Sequence, residues 1–210
     1  MSTSGIVFIA LAALLLFWGV GAYNRLVSLR SAVTAAWAPI DAQLRLRQAL
    51  AFDLATLLAE LPQMADEVGL TTLQTVVAAT RQAQAAADHA QGRPSSAGAI
   101  QSLGLAEQVL EGALRPLGVL VRARLAKPGE PLVAERLQAL LQGLQEAEGQ
   151  IAFARRVFKE AVGSFNGAVH ELPTRLIAGL FGFRPAAPLQ GASPDRGPDS
   201  QLASSFGDRG

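Results

Sequence analysis

The sequence predicts an all-α protein, with one N-terminal transmembrane helix continuing into a long-helix antiparallel four-helix bundle and a disordered C-terminal tail. Three observations carry this. Residues 5–22 (GIVFIALAALLLFWGVGA) form an unbroken apolar or small run of 18 residues without a charge. Beyond Asn24, apolar residues recur in steps of three and four as far as Leu172. That pattern is punctuated at Pro62, at Gly92-Arg93-Pro94 and at KPGEP (127–131), where helices must stop. No alternating run bounded by turn residues competes with the helices. The expected division is a membrane anchor over 1–22, a bundle over 23–183 and a Pro/Gly/Ser-rich tail over 184–210.

At ~1.5 Å per residue the apolar run spans roughly 27 Å, just enough for a bilayer core. Ile6, Leu11 and Leu15 lie within it; Trp18 and Tyr23 stand at its distal end, where amphipathic aromatics meet headgroups, and Arg25 is the first charge. A cleaved signal peptide is the competing reading, because Val20 and Ala22 resemble a small-residue cleavage site. Against it, MSTSG lacks the basic segment that opens such a signal, and the helical pattern continues past the run. Arg25 and Arg30 follow the span closely, so the positive-inside rule puts the bulk of the chain in the cytoplasm.

The first bundle helix carries Leu26, Leu29, Val33, Trp37, Ile40, Leu44, then Leu50, Leu54, Leu58 and Leu61, with a kink or boundary expected at Pro39. A second, rich in Ala and Gln, covers about 68–91 with a thin apolar stripe. The third opens after Ser95 and Ser96, which can cap it, and shows Ile100, Leu103, Leu110, Leu114, Leu117, Val121 and Leu125, with Pro116 as its weak point. Pro131 suits the first turn of the fourth helix, whose seam is Leu137, Leu141, Leu144, Ile151, Phe158, Val162, Phe165, Val169 and Leu172. Three reversals bring the end of that helix back towards the bilayer. The next segment, LPTRLIAGLFGFR (172–184), therefore has two readings for Leu176, Ile177, Leu180, Phe181 and Phe183: a cap on the bundle core, or a helix lying in the membrane interface.

Composition excludes much chemistry. There is no cysteine, so disulfides, thiolate catalysis, lipoprotein acylation and Cys-ligated metals are out. With 18 basic and 17 acidic residues interspersed, no field exists to hold nucleic acid. The two histidines, His89 and His170, have Ala86 and Gly167 three residues before them, so no Glu-x-x-His di-metal site can form. No HExxH, GxSxG, phosphate-loop or GxGxxG motif occurs. We therefore expect no catalytic, cofactor-binding or metal-binding residues, no cofactor and no enzyme.

The carboxylate pairs Asp66/Glu67, Glu107/Glu111 and Glu146/Glu148 read as solvated helix faces. Glu148 and Arg155 stand where the fourth seam skips from Leu144 to Ile151 and on to Phe158, and Arg47 interrupts the first helix similarly. These three predict a buried interhelical polar layer, whose usual use is to fix register and partner choice. Gly163 and Gly167 form a GxxxG spacing, which permits close helix approach.

The stretch YNRLVSLRSAVTAAWAPIDAQLRLR (23–47) resembles the opening signature of the LemA family of bacterial membrane proteins. LQEAEGQIAFARRVFKEAVGSFN (144–166) and LPTRLIAGLFGF (172–183) are similar to its closing signature. Where the family usually has Ile-Pro-Asn after the basic pair, this chain has Ala51, Phe52 and Asp53. The resemblance implies a long-helix bundle on one N-terminal span in the bacterial inner membrane, with no catalytic residues and an accessory role near membrane stress or proteolysis systems. The leading expectation is thus a membrane-anchored interaction or scaffold protein with the bilayer and a protein as partners. The alternative is lipid-surface binding or membrane remodelling by the C-terminal apolar segment, and a ligand carrier or enzyme comes third. Sequence names neither the protein partner nor an oligomeric state.

Overall fold

The computed structural model describes residues 3–61, 66–127, 130–172 and 174–189. These residues form α1 (Thr3–Ala59), α2 (Glu67–Gln91), α3 (Ala97–Leu125), α4 (Pro131–His170) and α5 (Thr174–Phe181), with no strand among them. The apolar N-terminal run and the first bundle helix are one continuous α-helix of 57 residues, ~85 Å long by its rise. The kink or boundary expected at Pro39 does not interrupt it. Pro39 and Ala35, whose carbonyl loses its usual donor, both face outwards, so solvent can satisfy that carbonyl. Pro116 is accommodated likewise in α3, with both it and Gly112 exposed. The stop expected at Pro62 lies outside the described residues.

Local chemistry fixes the other ends. Asp66 caps α2 by accepting from the Gly69 N–H at 3.0 Å. Ser96 is the N-cap of α3, but its hydroxyl makes no capping bond. Pro131 occupies the first turn of α4, as its fixed φ and missing N–H favour. Thr174 ties α5 to the end of α4 by donating to the carbonyls of Ala168 and Glu171. Gly182, at φ 70°, closes α5 in the left-handed conformation, and the Phe183 N–H reaches back to the Ala178 carbonyl at 2.9 Å.

α1 packs most extensively on α4 and also on α2, while α3 lies mainly against α2, closing the bundle towards α4. The apolar side chains sort into two clusters. One, next to the apolar N-terminal part of α1, gathers Leu26, Trp37, Ile40, Leu103, Phe158 and Phe165 with their neighbours; the other, at the far end, gathers Leu54, Leu58, Val76, Leu110, Leu117 and Leu137. Trp37 and Phe158 meet edge to face at 5.5 Å. α2 contributes chiefly alanines, with Ala83, Ala87 and Ala90 fully buried, which lets the neighbouring helices come close.

Two parts of the expected outline change. Leu172, assigned to the fourth seam, is 73% exposed because α4 ends at His170 and the chain turns before reaching it. Residues 184–189, assigned to the tail, lie against the bundle. Asn166 holds them by donating to the Ala186 carbonyl and accepting from its N–H, both at 2.8 Å, and Ala186 and Leu189 are buried. The remainder of the expected tail, 190–210, lies outside the described residues.

Candidate functional site

Two features stand out as more than packing, and the first is at the apolar end of the bundle. Ile6, Leu11, Leu15 and Trp18 are exposed along the N-terminal part of α1, and no other element among the described residues covers them. Where that stretch ends, α5 docks. A Cβ at Gly19 would stand 3.7 Å from Ile177 Cδ1, an ordinary contact distance, so α5 lies directly beside this position of α1. Tyr23 packs its ring 4.9 Å from Phe181 and 6.0 Å from Phe183, and Phe183 in turn meets Phe165 of α4 at 6.5 Å.

Of the two readings of the 172–184 segment, the cap on the bundle core describes one side of α5. Ala178 is buried, and Ile177 and Phe183 pack partly buried on the core, so this side caps the bundle. Leu176 (63% exposed) and Leu180 (78%) form the opposite, uncovered side, and Phe181 (57%) stands at its edge with its ring against Tyr23. Arg175 and Arg184 flank it, both exposed. This eight-residue helix thus carries an apolar outer side next to the exposed apolar part of α1.

The second feature is the polar layer between the two apolar clusters. Arg47 on α1 pairs with Glu107 on α3, their side chains 5% and 2% exposed, and Gln48 adds a second bond to Glu107 at 2.8 Å. Burial lowers the pKa of Arg47, and the like charge of Arg155 lowers it further, while Glu148 and Glu111 act the other way. Arg155 is lowered by burial and raised by Glu111. A guanidinium stays charged under such shifts, so the layer holds real ionic charge. Arg47 Nε, Gln48 Oε1 and Arg155 Nε are buried without a hydrogen-bond partner. Such an arrangement suits the setting of helix register, and among the described residues it brings no nucleophile or base against a cavity.

The predicted membership of this layer needs two corrections. Glu148 is exposed, because the buried side of α4 runs Leu144, Ala147, Ile151, Ala154, Phe158, which turns position 148 outwards. Glu107, read from the sequence as a solvated acid, is the buried carboxylate instead. Its position continues the α3 seam in heptad steps (Ile100, Leu103, Glu107, Leu110), and that spacing was the signal available to find it. Nearby, exposed Arg45 ties α1 to α2 by bonding Asp41 at 3.0 Å, Asp88 at 2.9 Å and Gln91 at 3.3 Å, and these acids raise its pKa. Gly163 is exposed with nothing near it and Gly167 faces only Glu171, so among the described residues the GxxxG spacing mediates no helix contact.

A family model for LemA matches residues 36–199, most of the chain, taking in α2 to α5 and α1 from residue 36 onwards. The chain belongs to the LemA family. No curated protein and no solved structure matches it. Family membership and the long apolar part of α1 are together compatible with a membrane-anchored protein, in a family whose function is poorly defined. The LemA match covers the polar layer, α5 and the Asn166 clamp, while the exposed apolar part of α1, with Gly19 and Tyr23, lies before it.

Proposed function

We propose that this LemA-family protein is a membrane-anchored scaffold in the bacterial inner membrane: the first part of α1 spans the bilayer, and the bundle presents its helical faces to a protein partner. The observation that carries this is the continuity of α1. One helix runs from an exposed apolar stretch directly into the buried seam of the bundle, so anchor and bundle move as one body. Such a link holds a binding surface at fixed height and orientation, whereas a flexible linker would let it wander. Arg25 and Arg30, just past the span, favour a cytoplasmic bundle. Exposed apolar side chains on the bundle, including Leu105 and Val109 on α3 and Phe153 and Val157 on α4, offer places for a partner. The role is non-enzymatic.

The lipid-surface reading is supported by the outer side of α5 and its docking beside Gly19 and Tyr23. It complements the scaffold role by giving the bundle a second hold on the membrane. The test is fractionation of the full chain with alkaline extraction, followed by in-cell crosslinking from Leu105 and Phe153. Retention in the extracted membrane with a discrete crosslinked protein is the expected result. Release by alkali, or substrate turnover by the purified chain, would sink the proposal.

A further inference from the structure

We infer that the cleft at the membrane-proximal end of the bundle binds the phosphate of an anionic phospholipid headgroup. The cleft, about 730 Å³, is bordered by three arginines from three separate parts of the chain: Arg30 on α1, Arg93 in the turn between α2 and α3, and Arg184 just after α5. No carboxylate lines it, and none of the three arginines pairs with one among the described residues. Three exposed arginines around one cleft with no carboxylate in its lining give it a positive potential that favours an anion. Ser95 and Ser96 add hydroxyls, that of Ser96 being unused in capping, and the first turn of α3 at the cleft carries no acid. The free N–H groups of that turn add to a positive potential already set by the arginines. The apolar part of the lining includes Phe165 and Phe183, so the cleft is amphipathic as a lipid headgroup and its first acyl carbons are.

Position selects the lipid over other phosphates. Arg30 is seven residues beyond Tyr23, about 10 Å along α1. The headgroup layer adds roughly 5–7 Å outside the hydrocarbon on each side, so a long arginine at that height reaches down to it. Gly182, Phe183 and Arg184 of the lining follow directly from α5, whose outer side faces the same layer. Basic pockets beside membrane-spanning helices recognise anionic headgroups by this chemistry. The choice of a lipid source rests on the proposed membrane span; the cleft's affinity for a phosphate diester does not.

The experiment uses the full chain in a non-ionic detergent, titrated calorimetrically at fixed ionic strength with dihexanoylphosphatidylglycerol, dihexanoylphosphatidylcholine and inorganic phosphate. We expect the glycerol lipid to bind, the choline lipid and phosphate to bind at least tenfold more weakly, and each of Arg30→Gln, Arg93→Gln and Arg184→Gln to weaken binding about fivefold, as one near-surface cation is worth. Arg136→Gln, at the far end of α4, leaves binding unchanged. Ser96→Asp is the variant that cannot lose binding by unfolding: aspartate is a favourable N-cap, so stability holds or rises while its charge occupies the cleft and binding falls. Equal binding of the choline lipid, full affinity in the three arginine variants or in Ser96→Asp, or inorganic phosphate binding as tightly as the glycerol lipid would each overturn the inference. Alkaline extraction of the same chain reports separately on the span.

Discussion

Replacing Glu107 by leucine probes the polar layer most sharply. In the native chain its carboxylate accepts from Arg47 and from Gln48, and both Arg47 and Glu107 are almost wholly out of solvent. Glu107→Leu keeps the side-chain bulk but leaves a buried guanidinium whose Nε already lacks a partner, with the like charge of Arg155 near it. Removing one member of a buried ion pair costs about 3–5 kcal/mol, because the remaining charge stays desolvated and uncompensated. For a chain of this length that corresponds to a fall in Tm of about 10 °C. The double variant Arg47→Met/Glu107→Leu removes both charges and is expected to recover most of the loss, since apolar replacement of a whole buried pair is often neutral or better. Thermal melts of the full chain in detergent, followed by helical circular dichroism, measure both. A single variant as stable as the native chain, or a double variant no better than the single, would refute the account of the layer.

Other perturbations test separate parts of the fold. Phe158→Ala empties a fully buried site against Trp37 and is expected to cost about 3–5 kcal/mol, read from the same melts. Pro39→Ala restores a backbone bond in the unbroken α1 and is expected to raise Tm, by up to about 3 kcal/mol of stability; a lowered Tm would mean that the bundle requires a proline-shaped bend there. Gly182→Ala forces a side chain into a left-handed residue at a cost of about 1–2 kcal/mol and loosens Phe183 from Tyr23, which tyrosine fluorescence and melting report. Asn166→Ala removes both bonds to Ala186, and hydrogen exchange at the Ala186 N–H is expected to accelerate while α4 itself stays protected.

The helical framework was legible because its seams are written in apolar steps of three and four. Leu26, Val33, Trp37, Ile40 and Leu44 on α1, and Ile151, Phe158, Val162 and Phe165 on α4, are all buried as that spacing requires. Ends marked by special residues, such as Pro131, were equally readable. The polar layer was readable only in outline. Arg47 was visible as an interruption of an apolar stripe, but its partner lies sixty positions away on another helix, and Glu107 beside Glu111 has the spacing of an ordinary solvated pair. On α4 the small residues Ala147 and Ala154 carry the seam through the gap between Leu144 and Phe158, where Arg155 is part-buried at the layer and Glu148 is exposed. Alanine is a weak hydrophobic signal, so the larger polar neighbours drew the inference. The Asn166 clamp on Ala186 was invisible for another reason: an amide bonding to backbone leaves no pattern, and Pro/Gly/Ser composition alone suggested a tail from 184 onwards. The basic cleft joins Arg30, Arg93 and Arg184 across 154 positions of sequence, and only the return of the chain to the start of the bundle unites them.

The central claim is that one rigid helix anchors the bundle and seats α5 in the headgroup layer. Since the chain has no native cysteine, single cysteines at Leu14, Leu180 and Leu132 can each carry a spin label on the full chain in lipid vesicles. Power saturation with oxygen and with a water-soluble nickel chelate then gives the depth of each. The account predicts Leu14 deep in the hydrocarbon, Leu180 at the headgroups and Leu132, at the far end of α4, fully in water. Leu14 accessible to the nickel chelate would contradict the anchor, and Leu180 as accessible as Leu132 would contradict the membrane seat of α5.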